Sequence, residues 1–260
     1  MGKTFSLGKL SGIQFRLHFS WFIIFALATI SLVYPDYSQW LHWIIGIATS
    51  LLFFGSVLAH ELAHSLVGRA NGIPVDSITL FIFGGVSHMT EEVTNPGAEL
   101  KMAAAGPVSS FLIGGFFGLF LFIPGLPELV SRMLFALMLT NWTLAVFNLI
   151  PGFPLDGGRV FRSILWHFSG SYIRSSRIAA RVGQGVGYLL ILTGILIVVI
   201  RPFNVAWFNG IWIVFIGWFL ERVALASYRQ VRWQEVSSVA VAAEAVSSGG
   251  SELPPDIKTD

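Results

Sequence analysis

His60-Glu61-Leu62-Ala63-His64 combines the residue types and the spacing needed for chemistry on a metal ion. On an α-helix, residues four apart lie one above the other, so both imidazoles can reach a single cation. The glutamate after the first histidine can reach a water molecule activated there, the H-E-x-x-H arrangement of zinc-dependent hydrolysis. The motif closes an apolar run from Trp40 to Val67 that is long enough to cross a bilayer. Ionisable groups at membrane depth are costly, so their presence points to function.

A third ligand is sought among the fourteen carboxylates. Twelve fall in loops, tails or the ends of apolar runs, and Glu61 and Asp156 are the exceptions. Two histidines and one carboxylate complete a catalytic zinc set with the fourth position open. His60, His64 and Asp156 are therefore expected to hold one Zn²⁺ per chain, with Glu61 carrying the proton from water to the leaving amine. An Asp that follows Pro154-Leu155 and opens a helix-like stretch is also a common N-cap. Asn148 could hydrogen-bond a substrate backbone or a developing oxyanion, or simply join helices. Pro151 and Pro154 deny this segment a continuous helix, and Gly157-Gly158 allows close approach of the backbone. His42, between Trp40 and Trp43, reads as structural, and His18 as interfacial. His88 and His167 carry no clear chemistry.

The chain has 260 residues, of which 54% are apolar and 12% charged. A soluble domain carries roughly 25% charged residues, and the mean hydropathy is +0.72. Cysteine is absent, which excludes disulfides and thiolate metal sites. The basic residues lie between apolar runs rather than in a polar domain, so they set topology and give no reason to expect nucleic acid.

The elements that must position these groups form a polytopic α-helical membrane protein. Six transmembrane helices are expected at about 17–33, 40–67, 100–123, 133–150, 182–200 and 205–220. Between the second and third, residues 75–90 are β-rich and break at Gly84-Gly85, predicting a short strand or hairpin element. Tyr34-Pro35-Asp36-Tyr37 reads as a turn, and residues 91–99 as a polar loop. The expected organisation is a polar N-terminal segment (1–16), a membrane domain (17–222) and a partly disordered tail (223–260). Even span number puts both termini on one side. With that side cytoplasmic, only Arg132 and Arg201 are left outside.

Several motifs together resemble the site-2 protease family of intramembrane zinc metalloproteases. They are His60-Glu61-x-x-His64, Gly84-Gly85 after short strands, Ala105-Gly106-Pro107 opening a span, and Asn148-x-x-Pro151-x-x-Pro154-Leu155-Asp156-Gly157-Gly158. The likeness covers about residues 10 to 225 and is greatest to the prokaryotic six-span branch without a PDZ domain. It implies cleavage of peptide bonds within or near the transmembrane segments of membrane-bound regulatory proteins. It further implies residence in a prokaryotic plasma membrane. His60, His64 and Asp156 would be zinc ligands, Glu61 the acid/base and Asn148 a substrate contact. The strands before Gly84 and Gly85 would bind an unwound substrate by β-addition. The expected partners are a transmembrane protein substrate and the lipid bilayer, with homo-oligomerisation left open. The chain departs from the family in two places. The tail is too short for the CBS domains often found there, and Ser110 stands where the family frequently has Asn. A metal-binding transporter or a non-catalytic substrate-binding homologue would use similar ligands. However, a transporter has no need of Glu61 as a base, and intact Glu61 argues against an inactive binder.

Overall fold

The computed structural model describes residues 4–10, 12–33, 39–81, 84–89, 93–200 and 207–247, with backbone alone at 10, 84, 86–89, 234 and 238–247. The expected turn at 34–37, the end of the fifth span at Arg201-Pro202, the last part of the tail and the His88 side chain lie outside the described residues. Two compact units divide the chain, residues 1–149 and 150–260.

Among its described residues the first unit holds a four-stranded sheet and four helices. The strands are β1 (Thr4–Leu10), β2 (Ile13–His18), β3 (Val75–Phe81) and β4 (Gly84–Met89), in the spatial order β1-β2-β3-β4. β1/β2 and β3/β4 are antiparallel hairpins, and β2 joins β3 in parallel. The hairpin expected after the second span is therefore present, but it is half of a larger sheet. Residues expected to be a plain polar segment supply the other half. The alternation Ile13, Phe15, Leu17 buries one face of β2, and Ile78 and Leu80 do the same for β3. These side chains pack against Val57, Leu58 and Leu62 of the helix that carries the H-E-x-x-H motif.

That helix is α2 (Trp40–Ala70). It follows α1 (Ser20–Val33) and precedes α3 (Pro96–Phe120) and α4 (Glu128–Asn148). At 31 residues α2 is about 46 Å long, well beyond a hydrocarbon core of about 30 Å. α3 starts earlier than the apolar run suggested. Asn95 Oδ1 accepts from the backbone N–H of Gly97 and Ala98 at 2.7 and 3.3 Å, and Pro96 occupies the first turn. Glu99, expected in a loop, is fully buried in that turn. Small residues bring these helices together: a Cβ at Gly114 would lie 2.3 Å from Trp142 Cδ1, and one at Gly46 2.6 Å from Val33 Cγ2. Buried hydroxyl and amide contacts add to this, Thr29 to Ser50 at 2.9 Å and Asn141 to Ser56 at 3.4 Å.

The second unit comprises α5 (Asp156–Ser169), α6 (Tyr172–Ile200) and α7 (Trp207–Ser247). α5 is short and amphipathic, and it ends at Gly170 in the left-handed conformation (φ 67°). α6 and α7 meet through reciprocal glycines. A Cβ at Gly194 would lie 2.6 Å from Gly210 O, and one at Gly217 2.7 Å from Gly187 O.

Among the described residues, five helices are long and apolar enough to cross a membrane: α2, α3, α4, α6 and most of α7. The expected count was six. The difference is α1, whose 14 residues extend about 21 Å, because the residues before Ser20 pair as a strand instead of extending the helix.

Candidate metal centre

His60 and His64 project from one face of α2 and are both buried. His64 Nδ1 lies 2.7 Å from the Met102 carbonyl oxygen. A carbonyl only accepts, so Nδ1 carries the proton and donates, and the Nε2 lone pair is left for a ligand. His60 Nδ1 lies 2.9 Å from Ser110 Oγ, a hydroxyl able to accept its proton when Nε2 binds a metal. The two Nε2 atoms stand 3.2 Å apart. They can share one hydrogen bond, which a cation bound to both would replace. Two nitrogens of a tetrahedral zinc site, each about 2.0–2.1 Å from the ion, would be about 3.3 Å apart. The pair is thus set for one cation.

Space is kept for it by α3. A Cβ at Gly106 would lie 2.1 Å from His64 Nε2 and 2.6 Å from His60 Nε2. Only glycine leaves that position clear, which gives the Ala-Gly-Pro sequence a physical reason. α3 therefore contributes three things: the Met102 carbonyl, the Ser110 hydroxyl and the gap at Gly106. The donors and the cradle suit a zinc ion.

Glu61 follows His60 and faces the sheet. A Cβ at Gly85 would lie 2.2 Å from Glu61 Cγ, so the β4 backbone rests directly on the glutamate. Gly84 pairs with Phe81 and Gly85 with Leu80, at the closing end of the β3/β4 hairpin. Within the first unit the structure thus brings together His60, Glu61, His64 and Gly85. Asn148 is the last residue of α4 and half-buried. In the second unit Asp156 is the first residue of α5, half-buried, and the N-cap position belongs to Leu155. Its carboxylate sits in the first helical turn, where the helix dipole favours negative charge.

The side chains of His18, His42 and His167 are also described. His18 Nδ1 accepts the backbone N–H of Ser20 at 3.2 Å and meets its hydroxyl at 2.7 Å, closing the start of α1. His42 lines a cavity of about 350 Å³ with Arg132, Gly46 and Thr49. His167 packs against Phe168 in the last turn of α5. Sequence reasoning missed Met102, whose contribution is a backbone carbonyl. Ser110 stood out only as a departure from a resembled pattern.

The sequence matches the model of peptidase family M50 over residues 48–131 and 126–194. A Synechocystis protein, sll0528, whose name describes a zinc metalloprotease, is 40% identical over 98% of this chain and 67% of its own length. Rip3 of Mycobacterium tuberculosis, named in the same way, is 34% identical over 95% of this chain and 64% of its own length. The chain thus spans about two thirds of these relatives. The solved site-2 protease from Methanocaldococcus jannaschii superposes with a TM-score of 0.59 at 32% identity, covering 87% of this chain and 95% of that one. The chain belongs to peptidase family M50. Family, fold and donor set make it a zinc metalloprotease whose site is built on membrane-spanning helices, in a multi-pass integral membrane protein.

Proposed function

We propose that the chain hydrolyses peptide bonds within or near the transmembrane segments of membrane-bound regulatory proteins. The observation that carries this reading is the Nε2 pair of His60 and His64, 3.2 Å apart and backed by α3, beside a glutamate that rests on a strand. His60 and His64 would hold the zinc ion, with Asp156 as the third ligand. When bound, zinc polarises the scissile carbonyl and makes water nucleophilic near neutral pH. Glu61 then takes a proton from that water at its carboxylate and delivers it to the leaving nitrogen. β4 ends the spatial order of the sheet, so its outer edge offers N–H and C=O groups to an extended peptide. A substrate helix hides its amides until it unwinds, and pairing along Gly84 and Gly85 would hold it extended next to Glu61. Asn148 would hydrogen-bond the substrate backbone.

The reading extends to topology. β2 precedes α1 and β3 follows α2, yet the two strands are paired. Their pairing supports α1 as a sixth span, because two crossings are needed to bring β3 back to the side of β2. The distribution of Lys and Arg supports cytoplasmic termini in a prokaryotic plasma membrane. The bilayer is then a partner throughout, and a second copy of the chain remains a possible one.

The test is Glu61→Gln in the full chain with a reconstituted single-span substrate. Zinc should be retained and cleavage should fall about 10²–10⁴-fold. Unchanged cleavage would overturn the mechanism.

A further inference from the structure

Asp156 follows a segment that has little means of holding itself still. Residues 151–155 read Pro-Gly-Phe-Pro-Leu, outside any helix. A metal ligand has to be placed to within a few tenths of an ångström, so something outside the segment must fix it. Within the second unit two kinds of contact do so.

The first is backbone interlock. Gly152 has φ +152°, and a Cβ there would lie 2.5 Å from Gly183 Cα on α6. One at Gly183 would lie 2.2 Å from Phe153 O, and one at Gly158 2.4 Å from Gly152 C. Phe153 N–H donates to Ala179 O at 3.4 Å, and Leu155 N–H to Gly152 O at 3.1 Å. The second is a single side chain. The Arg162 guanidinium carbon lies 4.9 Å from the centroid of the Phe153 ring and 4.7 Å from that of Tyr172. Its Nη1 donates to Tyr172 Oη at 2.9 Å and to the buried Ser176 Oγ at 3.4 Å. Tyr172 is held in turn by Trp166, with ring centroids 5.0 Å apart and near-perpendicular planes. Arg162 therefore ties the residue three before Asp156 to the start of α6, from a position on the same helix as Asp156.

We propose that Arg162 is a positioning residue for Asp156. It clamps Phe153 against α5 and α6 and so fixes the direction from which the carboxylate reaches the metal. This rests on the reading of Asp156 as a zinc ligand. The planar guanidinium is required because it lies over aromatic faces while donating in its own plane, which an ammonium on a flexible stem does not do.

The test uses the zinc-loaded full chain in detergent or lipid. Zinc content per chain is measured against a graded chelator, alongside kcat and KM for a reconstituted single-span substrate. Arg162→Lys should weaken zinc retention about 10–100-fold, the range found when groups supporting a metal ligand are lost. It should lower kcat with little change in KM. Tyr172→Phe, which keeps the ring and removes one acceptor, should act in the same direction and more weakly. Phe153→Leu should match Arg162→Lys, and the double variant should be no worse than either single one, because each breaks the same contact. Additive losses in the double variant would overturn the clamp. Wild-type zinc retention and kcat in Arg162→Lys would overturn it too, provided Asp156→Asn loses zinc in parallel. Zinc retained by Asp156→Asn would instead remove the ligand reading on which the proposal stands.

Discussion

At the scale of single residues, the metal site depends on protons placed away from the metal. Met102 O holds the Nδ1 proton of His64, and Ser110 Oγ can accept that of His60 when both Nε2 atoms bind a metal. Ser110→Ala would strand a buried N–H, at a cost of about 1–3 kcal/mol. It should weaken zinc binding by about 10-fold or more, measured by chelator competition. Ser110→Asn, whose side-chain carbonyl can accept the same proton, should retain more zinc than Ser110→Ala. His60, Glu61 and His64 were legible in the sequence because four-residue spacing is fixed by the helix itself. Ser110 was not, since only the packing of α3 on α2 brings it to His60 across fifty positions. Arg162 gave no signal either, because its ring partners Phe153 and Tyr172 lie nine and ten residues away on different elements.

At the scale of elements, two glycines separate holding the metal from using it. A methyl at Gly106 would occupy the space between the Nε2 atoms and α3. Gly106→Ala should therefore lose zinc while its helix content, read by far-ultraviolet circular dichroism, stays at the wild-type level. A methyl at Gly85 would instead press on Glu61. Gly85→Ala should keep its zinc and lose kcat by about 10-fold or more, because the base is displaced from the line of proton transfer. Equal zinc loss in the two variants would refute this division. The long helices were legible as apolar runs. The β1/β2 hairpin was not, although Ile13, Phe15 and Leu17 alternate clearly enough. Lys9, Gln14 and Arg16 made residues 1–16 read as a polar lead-in, and a two-stranded pairing gains its stability only from the sheet and helix it joins.

At the scale of the whole molecule, zinc couples to stability. A ligand present at about 100 times its dissociation constant contributes about 2.7 kcal/mol to the folded state. Removing zinc with a chelator should lower the melting temperature in detergent, and added zinc should restore it. Asp156→Asn should show a smaller zinc-dependent shift than the wild type. The absence of cysteine also makes topology directly measurable, since single cysteines can be introduced without background. Ser6→Cys and Asp76→Cys should react with an impermeant maleimide from the same side of the membrane, and Glu128→Cys from the other. Labelling of positions 6 and 76 from opposite sides would contradict the pairing of β2 with β3. Six spans were expected from the apolar runs, and among the described residues five helices are long enough to cross; the run at 17–33 forms α1, of 14 residues.

The parallel pairing of β2 with β3 has a consequence for biosynthesis. The two strands are separated by α1 and α2, so β2 emerges from the ribosome well before its partner exists. The hairpin β1/β2 must wait beside the membrane until α2 has been inserted and residues 77–80 have followed. β4 can close the sheet only after that. The strand proposed to receive substrate therefore follows the helix bearing His60, Glu61 and His64 and precedes α3 and Asp156, so the docking edge can form before the metal site has all its parts.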